Sequence, residues 1–390
     1  MKKMLMASTA IAGASLFAAS AATAGTVGTK DTMNVSMSGY HVFQMRQIDV
    51  DARENNVIGR GYSFQSPEGE IKIDANAKTD GGITYGFYVE MGLEGAGISS
   101  DELAGYIKGD FGTLTFGNDD GAANVMQVGA YNANATYQGT LGGTFGLAAF
   151  EGTAGSSDFH LIRDDVEQVI YGDGNKIRYI SPRFSGFQIG ASWTPETQSE
   201  GDSMNDANGN MAAQGFSYEN VGDIAVNYVG EFGDVGVKAS AAYIFSDDQE
   251  TSGGAAGNGV AMEDLGLTKL GVSVSTAGFT VAASYNHNGD FGVARNGLGD
   301  GGRWMGIGAM YQMGPWTFNA HAARGKQKFG EALLEQTNNR FGIGAKYAVA
   351  PGWDIMADYL DLSRENNNGA ATPATGDDAS AFIFSNKFTW

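Results

Sequence analysis

Apolar and polar residues alternate with a period of two through most of the chain. Residues 83–91 read ITYGFYVEM, which puts Ile, Tyr, Phe, Val and Met on one face and Thr, Gly, Tyr and Glu on the other. Successive side chains of a β-strand point to opposite faces, so this pattern indicates a strand with one apolar and one polar or small face. The same alternation returns in residues 71–78, 235–243, 279–285, 316–322 and 353–359.

The segments between the strands differ in length in a regular way. Short sequences rich in Gly, Asp and Pro, which are typical of tight hairpins, join pairs of strands at residues 79–82, 110–112, 184–186, 232–234, 277–278, 314–315 and 350–352. The other strand ends run into polar stretches at residues 194–214, 247–261, 289–302 and 365–378. Short turns at one end and long loops at the other are typical of an outer-membrane barrel.

About sixteen strands of roughly ten residues can be placed, which is the length that a tilted strand needs to cross hydrocarbon. The sequence therefore predicts an all-β protein, a 16-stranded antiparallel transmembrane β-barrel over residues 25–390. We expect short periplasmic turns and long external loops. Large aromatic residues fall near the strand ends, where amphipathic rings prefer the membrane interface: Tyr85, Tyr228, Tyr243, Tyr285, Trp304, Tyr311, Trp316, Tyr347, Trp353 and Tyr359.

Residues 1–24 have the pattern of a secretory signal peptide. Lys2 and Lys3 precede a short apolar run, and residues 22–24 read Ala-Thr-Ala, a typical cleavage site.

The composition excludes other classes of function. The chain has no Cys, which excludes disulfides and thiolate metal sites, and only 4 His. Its 24 Lys and Arg against 44 Asp and Glu give a net charge of -20, which argues against nucleic acid as a partner.

Three segments carry a resemblance to a known family. Residues 105–117 read GYIKGDFGTLTFG, residues 176–193 read KIRYISPRFSGFQIGASW, and the last strand carries Phe382, Phe384, Phe388 and Trp390. With the signal peptide, these segments resemble general bacterial porins of alphaproteobacterial type over the whole chain. The sequence departs from that family at the terminal Trp390, where Phe is usual, and at Asn118, where many relatives have Arg.

The resemblance implies a homotrimer in the outer membrane of a Gram-negative bacterium. Each barrel would hold a water-filled pore for small hydrophilic solutes. The expected partners are outer-membrane lipid and lipopolysaccharide, together with the barrel-assembly machinery, which would read the aromatic C-terminal strand as its signal. No cofactor is expected.

The third long loop, residues 118–170, is far longer than an ordinary connection. The resemblance implies that it folds inward and narrows the barrel. Its acidic residues would then face basic residues of the wall across a narrow pore, within about one Debye length, roughly 10 Å at 0.1 M salt, so that a transverse field and a weak to moderate cation preference result. The acidic candidates are Glu151, Asp158, Asp164, Asp165 and Glu167, and the basic candidates are Arg46, Arg60, Lys72, Lys78 and Arg178.

Alternatives remain at this stage. The loop acids could lie on solvated external loops and bind divalent cations. The chain could be a substrate-specific channel, for example for a sugar, or a non-conducting structural or adhesive barrel, because fold does not determine function. An enzyme is not expected, since no His lies in a catalytic motif.

Overall fold

The computed structural model describes residues 33–51, 62–93, 98–136, 170–172, 174–196, 218–247, 263–293, 299–329, 334–367 and 375–390. The predicted signal peptide, Arg60 and the five acidic residues of the long loop lie outside these ranges. Within them, no helix has both the length and the apolar character needed to cross a membrane.

The described residues form sixteen strands. Their bounds are β1 (Asn34–Asp51), β2 (Tyr62–Lys78), β3 (Thr84–Gly92), β4 (Ser99–Gly109), β5 (Gly112–Asn118), β6 (Asn175–Ile180), β7 (Phe187–Glu196), β8 (Glu219–Phe232), β9 (Val235–Asp247), β10 (Gly266–Thr276), β11 (Phe279–His287), β12 (Asp300–Met313), β13 (Trp316–Phe329), β14 (Leu334–Ala350), β15 (Trp353–Asn367) and β16 (Thr375–Thr389).

Each strand pairs antiparallel with its neighbours in the chain, and β1 pairs with β16, so the sheet is a closed barrel. The ends meet at Gly39 and Trp390, where each backbone N–H donates to the other residue's carbonyl at 3.1 and 3.0 Å. This confirms the predicted fold class. The strands reach 18 residues in β1, longer than expected. In particular, β15 and β16 extend into residues 365–378, which the sequence had suggested as loop.

The tight turns have the backbone geometry that their residues predict. Ala277 and Gly278 join β10 to β11 with φ of 49° and 84°. Two successive positive φ angles are typical of a type I′ turn, whose twist matches that of the flanking strands. Because Gly has no Cβ, it adopts this conformation without steric cost.

The outer face of the barrel is apolar and carries aromatic rings at the end with the short turns. There, neighbouring strands place rings in contact, with centroids 4.2 Å apart for Phe279 and Tyr311 and 4.7 Å apart for Trp316 and Tyr347. Such a girdle is typical of the membrane interface. The prediction for Trp304 was wrong: it is 1% exposed and faces inward, because its position on β12 alternates with the outward Met305.

The last strand turns its aromatic side chains outward. Phe382, Phe388 and Trp390 are 54%, 42% and 41% exposed, and Phe384 shares their face. Ile383, which alternates with these aromatic residues on β16, is buried on the inner face. The aromatic face is therefore accessible on the barrel exterior, and its reading by the assembly machinery stays a prediction.

Candidate functional site

The first part of the long loop, residues 119–136, lies against the inner wall of the barrel. It follows β5 and contains helix α1 (Ala122–Val125) and the 3₁₀ helix Ala130–Ala133. Helix α1 contacts β6 to β9, and the 3₁₀ helix contacts β10 to β13. This segment therefore crosses half of the barrel circumference on the lumen side.

Hydroxyl and carboxylate groups of the wall bind the backbone of this segment. Ser240 on β9 accepts from the Val128 N–H at 2.8 Å and donates to the Val128 carbonyl at 3.2 Å. Ser284 on β11 accepts from the Ala130 N–H at 2.6 Å. These bonds satisfy backbone groups that the short helices leave unpaired. Similar bonds join Ala122 to Ser192, Ala123 to Asp223, and Asn227 to the Met126 carbonyl.

Glycines on the inner face of the wall make room for the loop. A Cβ at Gly271 on β10 would overlap the Val128 carbonyl oxygen, and one at Gly308 on β12 would lie 2.9 Å from the Ala130 carbonyl oxygen. Gly344 on β14 would bring its Cβ to 2.8 Å from the Thr136 side chain. The absence of side chains at these positions allows the loop backbone to lie directly on the strands.

The side chain of Trp304 on β12 packs against the middle of this segment. It packs in a buried cluster with Ala130 and Ala323, and Tyr131 lies against the same cluster. A buried Trp side chain removes a large apolar area from water, so this contact stabilises the inward position of the loop.

An ion pair holds the start of the loop at Asp119, directly after β5, and we call this point the loop root. The Arg178 guanidinium on β6 lies 2.6 Å from the Asp119 carboxylate, with 10% and 5% of the two side chains exposed. Lys176 donates to the carbonyl oxygens of Asp119 and Gly172, and so joins the two ends of the loop. Arg178, a candidate for the basic pore wall, therefore has its charge matched at the loop root.

Carboxylates cluster on the inner face of β2 to β4. Glu70, Glu90 and Asp101 each offer an oxygen within 4.8 Å of the others, an arrangement that could hold a cation. Glu90 also forms an ion pair with Lys72, whose ammonium lies 4.0 Å from the centre of the Tyr88 ring. The predicted basic residue Lys72 is thus surrounded by acids.

The other basic candidates differ in their surroundings. Arg46 on β1 is 2% exposed and donates to Gln44 and Gln65, whereas Lys78 is exposed at the turn end of β2. Both face the lumen by strand alternation. Since their acidic counterparts lie outside the described residues, the transverse field stays a prediction.

Sequence reasoning missed the residues that hold the loop. From the sequence alone, the serines and glycines of β7 to β12 do not differ from ordinary strand residues. A signal was present: Ser240, Gly271, Ser284 and Gly308 all occupy positions of the inner face. Small residues at inward positions of successive strands indicate a surface that receives another part of the chain.

The family profile of Gram-negative porins matches residues 7–370. The chain belongs to the Gram-negative porin family. The protein is therefore a transmembrane β-barrel of the outer membrane. In this porin, loop residues 119–136 lie on the inner wall, in the position of a segment that would line a channel. No curated protein matches the chain significantly.

Solved structures have the same fold at low sequence identity. A loop-deletion mutant of OmpT, an outer membrane protein of Vibrio cholerae, is 13% identical and covers 92% of this porin and 100% of its own chain, with a TM-score of 0.60. The anion-selective porin from Comamonas acidovorans is 15% identical over 92% and 100%, with a TM-score of 0.57. A mutant of the Rh. blastica porin is 15% identical over 91% and 100%, with a TM-score of 0.54.

Replacing Gly271 by alanine should destabilise the barrel at the loop contact. The added methyl overlaps the Val128 carbonyl oxygen, so the hydrogen bonds to Ser240 must break or the backbone must shift. We expect a loss of about 1–3 kcal/mol in the free energy of unfolding, measured by urea titration in detergent micelles. Gly266→Ala on the same strand is the matched control, because its methyl meets only the Tyr243 hydroxyl at 3.4 Å. Equal stability of the two variants would contradict the contact.

Removing the cation of the loop root should have a larger effect. Arg178→Met leaves the Asp119 carboxylate buried without its ion-pair partner, which we expect to cost about 3–5 kcal/mol in the same urea titration. Adding Asp119→Asn should recover part of that loss, since the buried charge is gone. Lys346→Met is the control, because its 3.8 Å pair with Asp354 is more exposed and is expected to contribute about 0–1 kcal/mol. A loss of similar size in Arg178→Met and Lys346→Met would contradict a stabilising role of the Arg178–Asp119 ion pair at the loop root.

Proposed function

We propose that this porin forms a water-filled channel for the passive diffusion of small hydrophilic solutes and ions. The observation that carries the proposal is the loop segment 119–136, which is fixed along one side of the inner wall. A loop held in this way narrows the barrel, and we infer that solutes pass beside it. The family and the barrel both favour a channel over an enzyme, and we infer that no cofactor takes part.

Polar side chains also line the inner face of β1 to β4. Tyr40 on β1 donates to Glu68 at 3.0 Å, and Tyr106 on β4 donates to Asp74 at 3.0 Å. Gln44 and Arg46 continue this polar surface along β1. Hydrogen-bonded polar groups on the inner face favour water and hydrophilic solutes in the lumen over apolar ones.

We infer a weak preference for cations. Glu70, Glu90 and Glu102 bring three carboxylates to one side of the lumen, and Lys72 is the cation paired among them. Basic side chains such as Lys238 and Lys269 occupy the inner face of other strands, so the excess of negative charge in the lumen is modest. The loop acids that were predicted from the sequence would add to this excess if they face the pore.

We further propose a homotrimer of alphaproteobacterial type. One similar solved structure is the trimer form of OmpT from Vibrio cholerae, 14% identical over 91% of this chain and 99% of that chain, with a TM-score of 0.56. The barrel-assembly machinery, lipid and small hydrophilic solutes are the proposed partners. We also infer that the acidic loops can bind divalent cations.

Recording single channels of the purified mature protein in a planar bilayer tests the channel. We expect large ohmic openings in steps of three, with little block by added sugars. A folded barrel that never opens would refute the channel and favour a structural or adhesive role. Saturable block by one sugar would instead identify a substrate-specific channel.

Neutralising the lumen acids should lower the cation preference. A unit charge about 10 Å from an ion in water changes its energy by about 0.4 kcal/mol, roughly a factor of two in relative permeability. We therefore expect Glu70→Gln with Glu102→Gln, which together remove two such charges, to reduce the cation-to-anion permeability ratio about fourfold, read from the reversal potential in a salt gradient. Asp361→Asn with Glu365→Gln removes the same charge from outward, exposed positions and should leave the ratio unchanged. Equal ratios for the two double variants would place the selective charges elsewhere.

A further inference from the structure

One carboxylate of the lumen is fully buried and has no partner in the wall. Asp358 lies on the inner face of β15 and is 1% exposed. Within the described part of the chain, neither of its side-chain oxygens has a hydrogen-bond partner and no ion pair engages it. Burying a charge without a partner is costly, because the interior of a protein does not solvate it as water does. An unsatisfied group of this kind indicates a place where a proton or a ligand is bound.

A second oxygen of the wall points into the same space. Gly344 on β14 is the register partner of both Asn319 on β13 and Asp358 on β15, so these two side chains flank a position without a side chain. The point that a Cβ of Gly344 would occupy lies 2.5 Å from Asp358 Oδ1 and 3.0 Å from Asn319 Oδ1. Asn319 is 5% exposed, and its amide likewise has no hydrogen-bond partner among the described residues. Two oxygens therefore lean into one gap in the wall.

The loop covers this gap and adds a third oxygen. Thr136 ends the segment 119–136, and its Cγ2 lies 2.8 Å from the same Cβ point of Gly344. Its side chain lies beside the Asp358 carboxylate and is buried. The Thr136 hydroxyl donates to the Asn134 side chain at 3.2 Å, so its oxygen keeps only lone pairs for another group. Oxygens from β13, β15 and the loop thus converge without a donor between them.

The nearest inward cations of β14 belong to other positions. Lys346 lies on the turn side of Gly344 and pairs with Asp354 at 3.8 Å. On the external side, Arg340 is the register partner of Leu362 and lies two inward positions from Gly344. Four residues of a strand span about 13 Å, so Arg340 and Gly344 are well separated along β14. The charge of Asp358 is therefore not balanced from these two positions.

Three occupants of the gap can be compared by what each would satisfy. A proton on Asp358 would cancel the charge but could bridge to only one of the other oxygens. A water molecule could donate to two oxygens but would leave the charge buried. A cation contacts all three oxygens at once and also balances the carboxylate. Carboxylate, amide and hydroxyl oxygens are ligands that hard cations prefer. Because only one carboxylate is present, a monovalent ion balances the charge fully, whereas a divalent ion would leave a buried positive charge.

We propose that Asp358, Asn319 and Thr136 bind a monovalent alkali cation, such as sodium, between the loop and the wall. The absence of a side chain at Gly344 provides the space for it. The ion joins the loop to β13 and β15. The segment 119–136 is then held by a cation at each end, by the Arg178 guanidinium at the loop root and by the bound ion at Thr136.

Thermal unfolding of the mature protein in detergent micelles tests this site. Midpoints are compared in sodium chloride and in N-methylglucamine chloride at equal ionic strength, since the organic cation is too large for the gap. We expect the midpoint to rise with sodium, to level off, and to differ by about 2 °C or more at saturation, because an ion that binds only the folded state stabilises it. Asp358→Asn keeps the shape of the side chain, removes its charge and should abolish most of this rise.

A second variant and a matched control make the result specific. Asn319→Leu removes one ligand oxygen and should move the rise to at least threefold higher sodium, and it carries the test if Asp358→Asn does not fold. Asp354→Asn removes an inward carboxylate from the same strand and should keep the full sodium effect. Heat-modifiable migration on gels verifies that each variant is a folded barrel.

Three outcomes would overturn the proposal. Equal midpoints of the unmodified protein in the two salts would mean that a proton or the Asn319 amide balances Asp358. An undiminished sodium effect in Asp358→Asn would place the bound ion elsewhere, and an equal loss in Asp354→Asn would show a general effect of charge. Unfolding is measured without any current through the pore, so these outcomes are independent of the proposed channel.

Discussion

The structure depends on the pairing of backbone hydrogen bonds across the closed sheet. In hydrocarbon no water can satisfy a free N–H or carbonyl group, so a sheet with open edges cannot span a membrane. The pairing of β1 with β16 removes both edges, and the two bonds between Gly39 and Trp390 complete it at the end of the chain. Once the cylinder closes, strand alternation divides the side chains between a lipid face and a lumen face. The distribution of charge and aromatic residues follows from that division.

The same need for backbone pairing explains how the loop is held inside the barrel. A segment with only one short helix and one 3₁₀ helix leaves many backbone groups unpaired. Strands of the wall cannot pair with it, because their own groups are already used. Side chains take over this role, and Ser240, Ser284 and Asp223 reach up from the wall to the loop backbone. The glycines between them bring the loop near enough for those bonds to form. A loop fixed at so many points can narrow a channel without a hinge.

Much of the barrel could be predicted from local pattern, and much of the site could not. The alternation of Ile83 to Met91 needs only neighbouring residues to indicate a strand, and the resulting class of fold was correct. The contact of Val128 with Ser240 joins residues 112 positions apart, and nothing local to either residue indicates the other. Trp304 shows the same limit. Its aromatic ring suggested the membrane interface, but the register of β12 turns it inward, where it packs against the loop. Pairing of Arg178 with Asp119 likewise depends on how the loop leaves β5, which composition does not determine.

Net charge is a poor guide to this protein, because the barrel separates charges by position. An overall excess of acids suggested an acidic pore, yet cations occupy much of the described inner face and the acids concentrate on β2 to β4. On the outer face the order is reversed: apolar residues cover the middle, and cations appear at one margin of β12 and β13. Successive residues of a strand are only a few ångströms apart, but one faces lipid and the next faces the lumen. A substitution at one face leaves the alternation, and hence the other face, in place, so the lumen and the lipid-facing surface can change independently.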